Sequence, residues 1–317
     1  MSHAGKPPTI SAVLTVYNKV PFLPDTIRSL RSQAEDEADV EYVFADDASC
    51  DGSVSLIRDL MADVPHLRVI ENTDNLGPSI RLNQAAAAAT GSFLYFLDGD
   101  DIAARGAMAG MLRRLRNERA DFIYGKTAKR VSVDVDLFGI EAKEEAPHAV
   151  SDHPLATVLE GGCVRMALMC RRDLFLEAGG ADERIFVQDE SLPLRLAAKA
   201  KRMIDWQATV ITPPRPAAGA ERVSGNKGQL HHDAFFAHKY ALDDFGEHFP
   251  DLAPALYAKA VSAYWKHDRR LPGTTAFKAG FWRYLQAKAG WAAPRQEVLA
   301  WMASELADIP GLRRTSL

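Results

Sequence analysis

Three carboxylates crowd one glycine at the end of "SFLYFLDGDD", where Asp98, Asp100 and Asp101 follow an apolar run. Gly99 lets the backbone turn tightly, so that Asp98 and Asp100 can face one site. Two converging carboxylates raise each other's pKa unless a cation offsets their repulsion. A hard divalent ion does so, and magnesium commonly takes one or two protein carboxylates together with phosphate oxygens of a substrate. The plainer alternative is a turn whose aspartate caps the next helix. Two other acidic segments also follow apolar runs. In "FADDASCDGS", Ser49 and Asp51 suit capping, whereas an ionised Asp47 could accept a hydrogen bond from a nucleobase N–H. In "IFVQDESLPLRL", Asp189 and Glu190 stand at a helix start, where capping competes with a chemical role.

These acids need elements that end together. "TISAVLTVYN", "VEYVFADDAS", "LRVIENTDNLG" and "SFLYFLDGDD" read as strands, and "DFIYGKTAKRVSVDVDLF" as further strand. "FLPDTIRSLRSQ", "VSLIRDLMADV", "SIRLNQAAAAAT" and "AMAGMLRRLRNERA" between them read as helices. Four such alternations argue for an α/β fold with a mostly parallel sheet flanked by helices. Ligands gather at the carboxyl ends of such strands, and Asn18, Asp46, Asp47, Asp98 and Asp100 all lie there. The stretch "EAKEEAPHAVSDHP" reads as a loop, "TPPRPAAGAERVSGNKGQ" as a second one, and the chain from His231 onward as helical.

The 317 residues, 47% hydrophobic and 25% charged, allow a large core and about two domains. A net charge of −4 gives no reason to expect nucleic acid as a partner. Cys50, Cys163 and Cys170 are too few and scattered for a disulfide framework or a four-thiolate zinc site, which fits a reducing compartment. No stretch resembles a signal peptide or a membrane span, so a cytoplasmic protein is expected.

Taken in order, "ISAVLTVYNK", "FADDASCDGS", "NLGPSIRLNQA", "FLDGDD", "GGADE" and "QDESLPLRL" resemble the family 2 inverting glycosyltransferases of GT-A fold, over about Thr9 to Trp206. The resemblance implies a Rossmann-like nucleotide-diphospho-sugar transferase domain in residues 1–220. Its nucleotide-binding half would be about 9–125 and its acceptor half about 126–220, with an active-site loop and helical region in 221–317. It implies a donor site formed by Thr15, Tyr17 and Asn18, with Tyr17 near the base. Asp47 would contact uracil, Arg81 would reach the nucleotide-sugar side, and Asn75 and Gly77 would shape their loop. Asp98 and Asp100 match the D-x-D pair that binds Mg2+ or Mn2+, Asp100 being the direct ligand. Asp189 matches the catalytic aspartate, with Arg195 at the usual distance behind it. Gln188 replaces the family's usual glutamate, which puts the acceptor preference in question.

The same resemblance implies transfer of a sugar from a nucleotide-diphosphate donor, uridine-linked by preference, to a hydroxyl acceptor. That acceptor would be a glycan, a lipid-linked sugar or a small alcohol in surface polysaccharide or lipopolysaccharide synthesis. "ERVSGNKGQLHH" lies where relatives have a loop over the diphosphate. Arg222, Lys227 and His231 or His232 could give positive charge or, at His232, a metal contact; a solvated loop is the alternative. "FKAGFWRYLQAKAGW" is a basic amphipathic helix. It could rest on the inner face of the plasma membrane or pack on the catalytic domain through Phe277, Phe281, Tyr284 and Leu285. A sugar-nucleotide pyrophosphorylase would need a glycine-rich basic loop after the first strand, and a Rossmann dehydrogenase would need G-x-G-x-x-G there. "VLTVYNKVPFL" has neither. A degenerate transferase domain serving as a scaffold or sugar-nucleotide-binding protein is disfavoured because Asp100 and Asp189 are present.

Overall fold

The computed structural model describes residues 9–35, 39–128, 136–161, 166–213, 226–270, 279–289, 296–307 and 309–313. Strand β1, Ile10–Val16, is almost continuously apolar because both of its faces are covered. Its alternate side chains enter two cores: Val13 joins one, and Ile10, Ala12, Leu14 and Val16 join the other. After β1 come α1 (Leu23–Arg31), β2 (Val40–Asp46), α2 (Ser53–Leu60), β3 (Leu67–Ile70), α3 (Pro78–Ala88) and β4 (Phe93–Asp98). Then follow β5 (Ile102–Ala103), α4 (Ala107–Glu118), β6 (Phe122–Thr127), β7 (His148–Ser151), α5 (Pro154–Glu160), β8 (Leu168–Arg171), α6 (Arg172–Ala178), α7 (Gln188–Lys199) and β9 (Met203–Thr212). Helices α8 (Lys227–Phe245), α9 (Ala253–Asp268), α10 (Ala279–Lys288) and α11 (Gln296–Leu306) complete the described chain.

The sheet order is β3-β2-β1-β4-β8-β6-β9-β5, with β7 on β9. Strands β1, β2, β3, β4, β6 and β9 run one way; β5, β7 and β8 run the other. The chain steps outward from β1 to β2 to β3, then returns to place β4 on the far side of β1. A crevice therefore opens between the carboxyl ends of β1 and β4, where consecutive connections diverge. Helices α1, α2 and α4 bury Leu23, Ile27, Leu30, Ile57, Met108 and Leu115 on one face. Helices α3 and α5–α9 cover the other, where α8 packs on both α7 and α9.

Three expectations from sequence change here. Within the stretch read as a loop, His148–Ser151 is an edge strand paired antiparallel to β9. Its residues are mostly exposed, so no apolar alternation marks it. Leu137 and Phe138, read as strand, lie in a short helical turn, Leu137–Gly139, in which Asp136 accepts the Phe138 N–H at 3.0 Å. Helix α8 begins at Lys227 rather than His231, because the Asn226 side chain accepts the Gln229 N–H at 3.1 Å.

Candidate active site

Register brings the acidic strand ends together: Val16 pairs with Asp46, and Thr15 with Asp98. Gly99 donates its N–H to the Thr15 carbonyl at 3.1 Å, and a Cβ on Gly99 would lie 2.7 Å from that oxygen. Glycine is thus what lets the D-G-D turn press against β1. Asp100 is buried, and its Oδ2 accepts from Lys19 Nζ at 2.7 Å. Asp98 Oδ1 accepts from Gln188 Nε2 at 2.9 Å. The amide that replaces the family's glutamate is therefore a donor to the acid pair, a bond an ionised glutamate cannot make. Lys19 and this use of Gln188 escaped the sequence reading, since neither is signalled by spacing.

Asp47 is clamped from three directions. Leu76 N–H and Gly77 N–H donate to its two oxygens at 2.8 and 2.9 Å, and Arg81 Nε donates at 2.8 Å. Arg81 also donates to the Asp74 carbonyl, and Asn75 Nδ2 donates to the Asp47 carbonyl at 3.0 Å. In this arrangement Asp47 and Arg81 hold the β3–α3 loop as a buried pair. Gly77 has φ +97, and its missing side chain makes room for the Phe186 ring. Asn18 sits at φ 52, accepts from Cys50 N–H at 2.9 Å and gives its own N–H to Ser49 Oγ at 2.9 Å, which ties the end of β1 to the β2–α2 loop. Asp51 accepts from Ser53 N–H and Oγ, the local capping read for it from sequence. Thr15 and Tyr17 are half-buried along the same rim.

Gln188 and Asp189 open α7, so the residue matching the catalytic aspartate lies one position from a side chain bonded to Asp98. Glu190 follows. Burial, then the negative charges of Asp189 and Asp233, push its carboxyl up to about 8, while Lys266 pulls the other way. Arg195 Nε donates to the Gly180 carbonyl at 2.8 Å, and Asn83 bonds Ala181 in both directions, so the "GGADE" loop is pinned between α7 and α3. A polar cleft of about 510 Å3 beside that loop is lined by Asn83, Asp182, Arg184, Arg195 and Asp244, and none of the acid-pair residues border it.

Helix α8 closes the other side. Asp233, fully buried, accepts the Val187 N–H at 2.7 Å and bonds His232 Nδ1 at 2.7 Å. Among the described residues no three His, Cys, Asp or Glu side chains gather as a metal cage, so His232 does not join Asp98 and Asp100 in one. Burial and the charges of Arg270 and Lys266 lower His231 to about 4, leaving it neutral at pH 7. Lys227 is exposed at the start of α8, and Arg222 lies outside the described residues, as do Cys163, Phe277 and Lys278. A cation that the sequence reading missed stands at the rim: the Arg313 guanidinium lies 5.6 Å from the Tyr17 ring centre and 5.6 Å from that of Phe186.

A sheet of this order, with an acid pair at its β1/β4 crevice, is the GT-A class of transferase fold. Residues 11–178 match the sequence model of Glycosyl transferase family 2, and the chain belongs to that family. It is 31% identical over 145 residues to "Uncharacterized glycosyltransferase YfnE" of Bacillus subtilis, which covers 45% of this chain and 36% of that protein. It is 29% identical over 119 residues to the GalNAc(5)-diNAcBac-PP-undecaprenol beta-1,3-glucosyltransferase of Campylobacter jejuni, covering 37% of this chain and 38% of that one. The chain thus spans well under half the length of these relatives. In fold it is similar to TarS 1–349 of S. aureus, with TM-score 0.64 and 16% identity over 93% of this chain and 83% of that one. It is also similar to the mannosyltransferase PcManGT of Pyrobaculum calidifontis, solved with GDP-Man and Mn2+, with TM-score 0.60 and 20% identity over 96% and 82%.

Proposed function

We propose that this chain is an inverting glycosyltransferase that moves a sugar from a nucleotide-diphosphate donor, UDP-linked by preference, to an acceptor hydroxyl. The observation that carries this reading is the 2.9 Å bond from Gln188 to Asp98, which draws the start of α7, and with it Asp189, to the acid pair. The donor set fits a divalent ion. Asp98 and Asp100 offer hard oxygens, and Lys19 already supplies a positive charge to Asp100. Asp100, with Asp98, would hold Mg2+ or Mn2+, which when bound supplies positive charge against the diphosphate leaving group. Asp189 takes the proton of the acceptor hydroxyl, a role worth about 10²–10⁴-fold in rate. The acceptor oxygen then bonds to the anomeric carbon as the bond to the diphosphate oxygen breaks, and one displacement inverts the centre. Support for a role in surface polysaccharide or lipid-linked glycan synthesis comes from the names of the relatives, among them an undecaprenol-linked glucosyltransferase. Contact with a membrane surface is supported by exposed Trp282 and Leu285 beside exposed Lys288 on α10.

A donor screen with UDP- and GDP-sugars and either metal tests this, scored by release of nucleoside diphosphate. The expected result is metal-dependent release from one donor. Asp189→Asn is expected to keep donor affinity and lower kcat by about 10²–10⁴-fold. No binding of any nucleoside diphosphate with either metal overturns the donor reading, and unchanged turnover in Asp189→Asn overturns the choice of base.

A further inference from the structure

The C-terminal segment returns to the mouth of the crevice and is fastened there. Gln229 of α8, 2% exposed, accepts the Arg313 N–H on Oε1 at 2.7 Å and donates from Nε2 to the Arg313 carbonyl at 2.9 Å. The same Nε2 lies 2.9 Å from Asp233 Oδ1, and Asp233 holds the Val187 N–H. A buried polar chain thus fixes the backbone at 313 to the element that carries Gln188 and Asp189.

From this anchor the exposed guanidinium reaches over Tyr17 and Phe186, within the range of a cation–π contact. Phe186 fills the space left by Gly77, whose loop is clamped by Asp47. Two residues after Phe186, Gln188 bonds Asp98. Arg313 therefore stands over the wall between the Asp47 loop and the acid pair. A nucleotide with its base at the first and its leaving group at the second must pass its phosphates across that wall. Among the described residues, two other cations on this rim are engaged, Lys19 by Asp100 and Arg81 by Asp47. Among the described residues no ion pair of Arg313 is found. A guanidinium offers planar, paired donors that suit phosphate oxygens. We infer that Arg313 binds the donor diphosphate and that Gln229 is its positioning residue, an inference that rests on the donor reading above.

The test uses the full chain with Mg2+ or Mn2+, titrating UDP and GDP by calorimetry and uridine and guanosine by ligand-observed NMR. Arg313 is exposed, so Arg313→Ala is expected to fold, which a thermal melt checks. It is expected to weaken the preferred diphosphate about 10- to 100-fold, with the nucleoside held within about twofold and Arg313→Lys falling between. Gln229→Met is expected to give a similar loss, and the double variant no further loss. Unchanged diphosphate affinity in Arg313→Ala, with the wild type binding, overturns the inference alone. An equal loss for nucleoside and diphosphate also overturns it, making Arg313 a wall for the base. A wild type that binds neither diphosphate overturns the donor reading and this inference together.

Discussion

At Glu190 a half-buried carboxyl stands among other acids. Burial and the charges of Asp189 and Asp233 raise it from its ordinary 4.5 to about 8, so the folded chain keeps a proton that the unfolded chain releases. The unfolded state binds fewer protons between those two values, and stability contributed by this group is lost as pH rises through about 8. Glu190→Gln removes the titration. Between about pH 5 and 8 the wild type is expected to lose stability relative to that variant, by no more than about 1.4 kcal/mol per pH unit. Denaturant unfolding at several pH values checks this, and a difference that stays constant with pH would show that Glu190 titrates normally. The acids themselves were legible at this scale because a carboxylate after a buried strand is unusual. The partners of those acids, Lys19 and Gln188, were not: they come from 81 and 90 positions away along the chain.

At the scale of elements, the β3–α3 loop decides whether the crevice keeps its shape. Gly77 combines a left-handed backbone with a steric demand, since a Cβ would lie 2.7 Å from the Phe186 ring. Gly106 has φ +74 but meets nothing within 4 Å. Gly106→Ala is expected to cost about 1 kcal/mol, the backbone part alone. Gly77→Ala is expected to cost about 2–4 kcal/mol and to weaken nucleotide binding, because the Leu76 and Gly77 N–H groups would leave Asp47. Equal costs for the two variants, by denaturant unfolding, would show that Phe186 simply moves aside. The four alternating strands and helices of the first half were legible because their two faces bury apolar side chains at regular periods. The edge strand His148–Ser151 was not, since its side chains face water and only its backbone pairs.

For the whole molecule, the question is which surface the C-terminal helices leave exposed. Phe281 and Tyr284 of α10 pack on Trp265 of α9, with ring centres 5.2 and 6.3 Å apart, so part of the amphipathic face is spent on packing. Trp282 is 56% exposed and Leu285 37%. Among the described residues no helix is long and apolar enough to cross a membrane. Flotation with anionic vesicles is expected to carry the protein upward if the exposed face of α10 meets lipid. Replacing both Trp282 and Leu285 by serine is expected to lower the bound fraction about tenfold or more, given about 1.5–3 kcal/mol for burying one such side chain. Flotation that is absent, or equal in wild type and variant, rules out this face as the lipid contact.

The sequence by itself determined the sheet's alternation, the glycine at position 99 and the acids at the strand ends, because each comes from local periodicity or local backbone geometry. It also carried the family, through motifs in a fixed order. Only the tertiary structure decided what neutralises those acids and what walls the crevice. Opposite charges and amide donors act over a few ångströms in space, and chain separation leaves no trace of that distance in the order of residues.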